Sequence, residues 1–204
     1  MISEFFSTLL QLSVFTLIPF LFYLIRFRKG TGFFQWIGFK KANKKSLILA
    51  AGLSILGLVS LVLPTFLGSS FAEVLHNPKS VTGALKQLTF GSSLVTSIIL
   101  IAVFKTALAE EILFRGFLAK RLISWLGFRW GNFTQALLFG VLHTALFITI
   151  TSNILWLISI FIIPFVVAYL IGYINEKKAE GSILPGWLAH GLGNFITYWV
   201  IYFS

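Results

Sequence analysis

Residues 107–116 read ALAEEILFRG, two adjacent glutamates and an arginine set in an otherwise apolar run. In a soluble protein this would be a solvated helix face. The rest of the chain argues against that: of its 204 residues 57% are hydrophobic, 17% aromatic and only 11% charged, against about 25% charged in an ordinary soluble domain. The 23 phenylalanines and six tryptophans suit a bilayer, where rings face acyl chains and Trp sits at the headgroup boundary. Outward from 107–116, apolar runs of about 20 residues, the length that crosses a hydrocarbon core, fall near 4–25, 47–68, 92–119, 132–150, 154–174 and 184–203. The expected fold is all-α: a polytopic integral membrane helix bundle of about six transmembrane helices, compact and single-domain overall. Basic residues follow the first run rather than precede it, and no small-residue cleavage site appears. It reads as a retained span, not a cleaved signal.

The net charge of +10 does not point to nucleic acid, because the basic residues sit between apolar segments rather than on one soluble face interleaved with aromatics. Arg26, Arg28, Lys29, Lys40, Lys41, Lys44 and Lys45 lie in the first connection, Lys120, Arg121 and Arg129 in 120–131, and Lys177 and Lys178 in 175–182. The opposite side carries only Lys79 and Lys86. The positive-inside rule therefore makes the basic connections cytoplasmic and both termini extracytoplasmic. The stretch GFFQWIGF (32–39), with basic residues on either side, is expected to rest on the cytoplasmic surface as an amphipathic segment that grips anionic lipid. There is no cysteine, so disulfides and thiolate ligands are excluded and any metal would need His and carboxylate ligands.

Ionisable groups at membrane depth cost about 2.5–3.5 kcal/mol each on insertion scales, so Glu110 and Glu111 need partners, protonation or a water-lined cavity. Arg115 stands four residues after Glu111, the spacing of a stabilising acid–base pair that could be structural alone. Glu110 points about 100° away and has no such local partner. The candidates are His143, in an otherwise non-ionisable span, and His190 with Asn194 one turn later. Counting about 1.5 Å per residue from the cytoplasmic helix ends puts Glu110, His143 and Asn194 roughly 15 Å deep, with His190 somewhat shallower. Gly140, Gly191 and Gly193 beside them either let helices approach closely or simply pack. Two carboxylates, two imidazoles and an amide in one layer fit peptide hydrolysis: a carboxylate and an imidazole handle a water proton, and a His–Asn pair donates to an oxyanion. The helical metalloprotease signature H-E-x-x-H is absent.

EEILFR (110–115), FGVLH (139–143) and HGLGN (190–194) resemble the motifs E-E-x-x-x-R, F-x-x-x-H and H-x-x-x-N/D of the CPBP family, the CAAX-processing and bacteriocin-processing (Abi) intramembrane proteases. The resemblance covers roughly residues 90–204, which makes 91–204 the expected catalytic membrane core and 1–90 two N-terminal spans with a basic loop. It implies an intramembrane endopeptidase in which Glu110 and His143 activate water, Glu111 and Arg115 hold the motif helix, and His190 and Asn194 form the oxyanion side. Substrates would be membrane-associated or prenylated-type peptides, and the short chain resembles the bacterial members of the cytoplasmic membrane, linked to peptide maturation, bacteriocin immunity and secretion. No cofactor is firmly implied. A divalent metal such as Zn on Glu110, His143 and His190 stays open, though Asn194 reads better as a hydrogen-bond donor than as a ligand. Zinc-dependent hydrolysis with Glu111 as base is one alternative, and a non-catalytic immunity or scaffold protein or a proton-coupled transporter is another.

Overall fold

The computed structural model describes the backbone of residues 2–67 and 69–204 and, within these, the side chains of residues 2–55 and 71–204. All regular elements among the described residues are helical. The first, α1 (Ile2–Phe27), buries little besides Thr8, Pro19 and Tyr23 and turns Ile2, Leu10 and Ile25 outward, as a helix clothed by acyl chains does. A short turn of helix, α2 (Phe33–Trp36), leads into α3 (Lys44–Leu67), α4 (Ser69–His76) and α5 (Val81–Lys86). Ser80 caps α5, its Oγ accepting from the Gly83 N–H at 3.0 Å, which satisfies a donor the first helical turn leaves free.

The centre of the molecule is the stretch Ser92–Phe147, two helical arms that meet at a kink at Gly127. It runs through α6 (Ser92–Ile99), a π-helical segment π1 (Leu100–Leu108), the pair Ala109–Glu110, a second π-helical segment π2 (Glu111–Ala119), and α7 (Lys120–Phe147). The chain changes direction at Gly127, whose φ of 73° and ψ of 167° lie in a region open in practice only to glycine. After a turn, α8 (Ile154–Tyr173) starts on Asn153, whose Oδ1 accepts from the Leu155 N–H at 3.0 Å. It passes into π3 (Ile174–Lys178), and α9 (Leu184–Phe203) closes the bundle with Pro185 in its first turn. Helix α3 packs along α9, α7 along α8, and α9 and α1 both against π1.

Among the described residues three helical stretches are long and apolar enough to cross a membrane: Ile2–Phe27, Ser92–Phe147 and Ile154–Lys178. The count of six expected from sequence is not reproduced, for identifiable reasons. The expected spans 92–119 and 132–150 are separate helical arms, but they count as one stretch because helix runs up to the kink at Gly127 from both sides. Helix α9 has 20 residues, but His190, Asn194 and their glycine neighbours dilute its apolar character. The expected span 47–68 ends on residue 68, outside the described residues.

The 32–39 segment is more than a surface element. Phe33 and Ile37 are buried, Ile37 fully, against Tyr23, Leu108, Ile112 and Ile183, while Phe34 and Phe39 stay exposed. The Ile183 N–H donates to Gly38 O at 2.9 Å, Ser182 Oγ to Lys40 O at 2.6 Å and Asn43 Nδ2 to Lys178 O at 2.7 Å. This strap is thereby fastened across the bundle to the turn that precedes α9.

Candidate active site

The site is built on the two π segments. Hydrogen bonds that reach five residues instead of four open the helix and mark functional places in many proteins. In π1 three carbonyls receive side-chain donors: Ile101 O from Thr106 Oγ1, Val103 O from Trp187 Nε1 of α9, and Lys105 O from Gln11 Nε2 of α1, each at 2.8 Å. The helix is thus held from both sides just before Glu110, which lies between π1 and π2.

Glu111 Oε1 lies 3.0 Å from Arg115 Nη1, with both side chains sealed from the surface at 0% and 1% exposure. The contact is short but not aligned as a hydrogen bond. The guanidinium carbon also stands 4.2 Å from the centroid of the Phe139 ring, a cation–π contact that is worth most when desolvated. Gly186 makes room for this arrangement: a Cβ there would collide with Glu111 Oε2 and Asn175 Nδ2, and its own N–H donates to Asn175 Oδ1 at 2.9 Å.

Glu110, without a partner on its own helix, meets α9. His190 Nε2 is 3.8 Å from Glu110 Oε2, and His190 Nδ1 is 3.4 Å from Glu111 Oε1, so one imidazole faces both carboxylates. His143 Nδ1 lies 2.8 Å from Phe139 O. A carbonyl only accepts, so this nitrogen carries the hydrogen and Nε2 keeps a lone pair when the ring is neutral. Glu110, His190 and Arg115 are the charged or titratable neighbours of that ring. Phe139 stands at the middle, its ring 4.4 Å from His143 and 6.0 Å from His190, centroid to centroid. Glu110, Glu111, Arg115, His143 and His190 are therefore gathered in one layer. Asn194, one turn beyond His190, turns its Nδ2 to Thr106 Oγ1 at 3.0 Å.

Glu110 Oε2, both Glu111 oxygens, all three Arg115 nitrogens and His190 Nδ1 are buried with no protein hydrogen-bond partner. Structural networks satisfy such atoms, and active sites leave them available. A zinc centre does not fit. Among the described residues no three His, Asp or Glu side chains are grouped as metal ligands. The two nitrogens of His190 address two different carboxylates, and among the described residues no contact brings His143 Nε2 onto a point shared with them.

A family model described as type II CAAX prenyl endopeptidase Rce1-like matches residues 92–196, just over half of the chain and every residue of the layer. The chain belongs to this family. No curated protein and no solved structure matches it. As an Rce1-like protein of the CPBP family it is an integral membrane CAAX-type endopeptidase, a hydrolase acting on peptide bonds, with a peptide or protein substrate in the membrane.

Three positions in this Rce1-like site were not singled out as functional from sequence. Phe139 opens the F-x-x-x-H motif, yet its contacts with Arg115, His143 and His190 need the fold to be seen. Gly186 precedes His190 by one turn and gave no signal of its approach to Glu111. Thr106 could have been noticed, since a lone hydroxyl four residues before Glu110 lies on the same helical face.

Proposed function

We propose that Glu110 is the general base for hydrolysis of the substrate peptide bond, with His143 beside it holding the attacking water. The observation that carries this is the gathering of His143 and His190 around Phe139 inside the bundle, with Glu110 facing His190 beside a sealed Glu111–Arg115 pair. The water oxygen bonds to the carbonyl carbon while its proton passes to Glu110, and the resulting oxyanion accepts hydrogen bonds from His190 and Asn194. Breakdown of this intermediate cleaves the C–N bond as the proton is delivered to the leaving amine. Two carboxylates and one guanidinium leave one negative charge in the layer. A single further proton neutralises it, and Glu110, His143 and His190 are the groups able to carry that proton, which suits a site that must accept one and return it.

The substrates on this reading are prenylated-type or membrane-associated peptides, in keeping with the family description. The charge asymmetry supports six spans with the basic connections cytoplasmic, both termini extracytoplasmic and the layer opening toward the cytoplasmic leaflet of a bacterial cytoplasmic membrane. Residues 91–204 form the catalytic core and 1–90 the two spans that flank it.

The deciding experiment incubates purified protein in detergent with a farnesylated peptide ending in a CAAX sequence, with and without chelator. Glu110→Gln is nearly isosteric but cannot take a proton, so cleavage is expected to fall about 10²–10⁴-fold at unchanged thermal stability. Full activity in that variant removes Glu110 from the mechanism. Loss of wild-type cleavage with chelator, restored by added metal, overturns the metal-free chemistry.

A further inference from the structure

Asn194 is not free to turn its amide. Its Nδ2 donates to Thr106 Oγ1 at 3.0 Å across the contact between α9 and π1. Thr106 in turn places its hydroxyl 2.8 Å from the carbonyl of Ile101, five residues back, with Ala102 O next at 3.2 Å. The widened i→i+5 geometry of π1 brings the Ile101 carbonyl into that reach. A hydroxyl has one hydrogen, and once it is given to Ile101 the oxygen can only accept from other neighbours. It therefore selects the N–H end of the Asn194 amide over the Oδ1 end.

We propose that Thr106 is a positioning residue for peptide hydrolysis, fixing the Asn194 amide so that its second N–H, and not its carbonyl oxygen, is offered to the oxyanion. This rests on the assignment of Asn194 to the oxyanion side. Without the Thr106 hydroxyl this preference for the N–H end is lost, and a half-turn of the amide aims the partly negative Oδ1 at developing negative charge. The cost falls on the transition state, because the ground-state carbonyl carries little charge there. The phenol of Tyr198, one turn after Asn194, lies near the same hydroxyl, so the test must isolate the route through Asn194.

The test is a double-mutant cycle on the purified full-length chain with the farnesylated CAAX peptide, reading kcat and KM separately. Thr106→Val keeps the side-chain shape and should lower kcat about 10-fold with KM nearly unchanged, less than the about 10²–10³-fold that loss of an oxyanion donor costs. Thr106→Ser should restore kcat, and in an Asn194→Ala background Thr106→Val should add nothing, as expected of residues acting through one another. Thr106→Ala is carried alongside so that a folded variant without the hydroxyl is in hand. Wild-type kcat in the hydroxyl-free variants, no rescue by Ser, or equal losses in both backgrounds overturns the role of Thr106 alone. If Asn194→Ala itself keeps full activity, the oxyanion assignment falls first and Thr106 falls with it.

Discussion

Two of the ion pairs on the stretch that carries Glu110 differ in everything but length. Arg115–Glu111 is 3.0 Å long and sealed at 1% and 0% exposure, whereas Lys105–Glu4 is 3.3 Å long with 25% and 34% of its side chains exposed. The first joins neighbours on one helix beneath the site. The second joins π1 to the first turn of α1. A sealed pair pays a desolvation cost that its own attraction scarcely returns, so it stabilises little as a pair, yet losing one partner strands a bare charge. An open pair keeps partial hydration and can be broken cheaply. Exposure, not distance, separates the pair that holds the site from the pair that trims the periphery.

That contrast can be broken most forcefully at Arg115. Arg115→Leu should destabilise the protein by about 3–5 kcal/mol and abolish cleavage, because the buried Glu111 loses its only fixed positive charge among the described residues and keeps just the His190 imidazole beside it. Thermal unfolding in detergent, read beside peptide cleavage, measures both, and near-normal values for both would mean that the pair is not sealed. Gly186→Ala comes next: the added methyl must push Glu111 aside, an overpacking penalty of about 1–3 kcal/mol with a parallel loss of activity. An unperturbed Gly186→Ala would show that α9 does not press on the carboxylate.

Lys105→Gln sharpens the comparison from the other side, with an expected cost of about 0–1 kcal/mol and cleavage intact. A loss as large as that of Arg115→Leu would put both pairs in one class. The smallest effect concerns His76, outside the spans, where burial first and the Lys86 charge second hold the imidazole pKa below its ordinary 6.5. Lys86 Nζ lies 3.2 Å from His76 Nε2. A histidine with a depressed folded pKa leaves the unfolded chain binding more protons, so its contribution to stability is present above pH 6.5 and is lost as pH falls through the depressed value. His76→Gln should therefore flatten the acid limb of the stability–pH curve, and superimposable curves would show that His76 is not responsible for any part of it.

The bundle and much of its polar layer were legible because each rests on a periodicity. The 3.6-residue repeat set Arg115 beside Glu111 and denied Glu110 a local partner, and rise per residue placed groups from three runs at one depth. Backbone register has no such signature. Nothing in LIAVFKTAL announces i→i+5 bonding, so the donors from Gln11 and Trp187 could not be foreseen. Glycines were equally mute about their neighbours. A Cβ on Gly140 would come within 2.9 Å of Phe161 O, whereas Gly191 and Gly193 have ordinary room, with nearest atoms at 3.6 and 3.7 Å. The strap over 32–39 was read as amphipathic, but amphipathicity cannot tell an apolar face turned to lipid from one turned to protein, and Ile37 faces protein.

The π segments also bear on chain length. A loop closed by an i→i+5 bond holds one residue more than the α-helical loop beside it, so each segment is a place where the chain can gain or lose a residue without breaking the helix. Removing one residue within 100–108 would return that stretch to α geometry and leave the flanking helix faces close to their present phase, because the wider turn is what absorbs the extra residue. Gln11 and Trp187 would lose the opened carbonyls of Lys105 and Val103 that they now bond, while the spacing from Glu110 to Arg115 stayed as it is. When relatives of this chain are aligned, a one-residue gap just ahead of the paired glutamates is therefore the closing of a wide turn and not a missing loop.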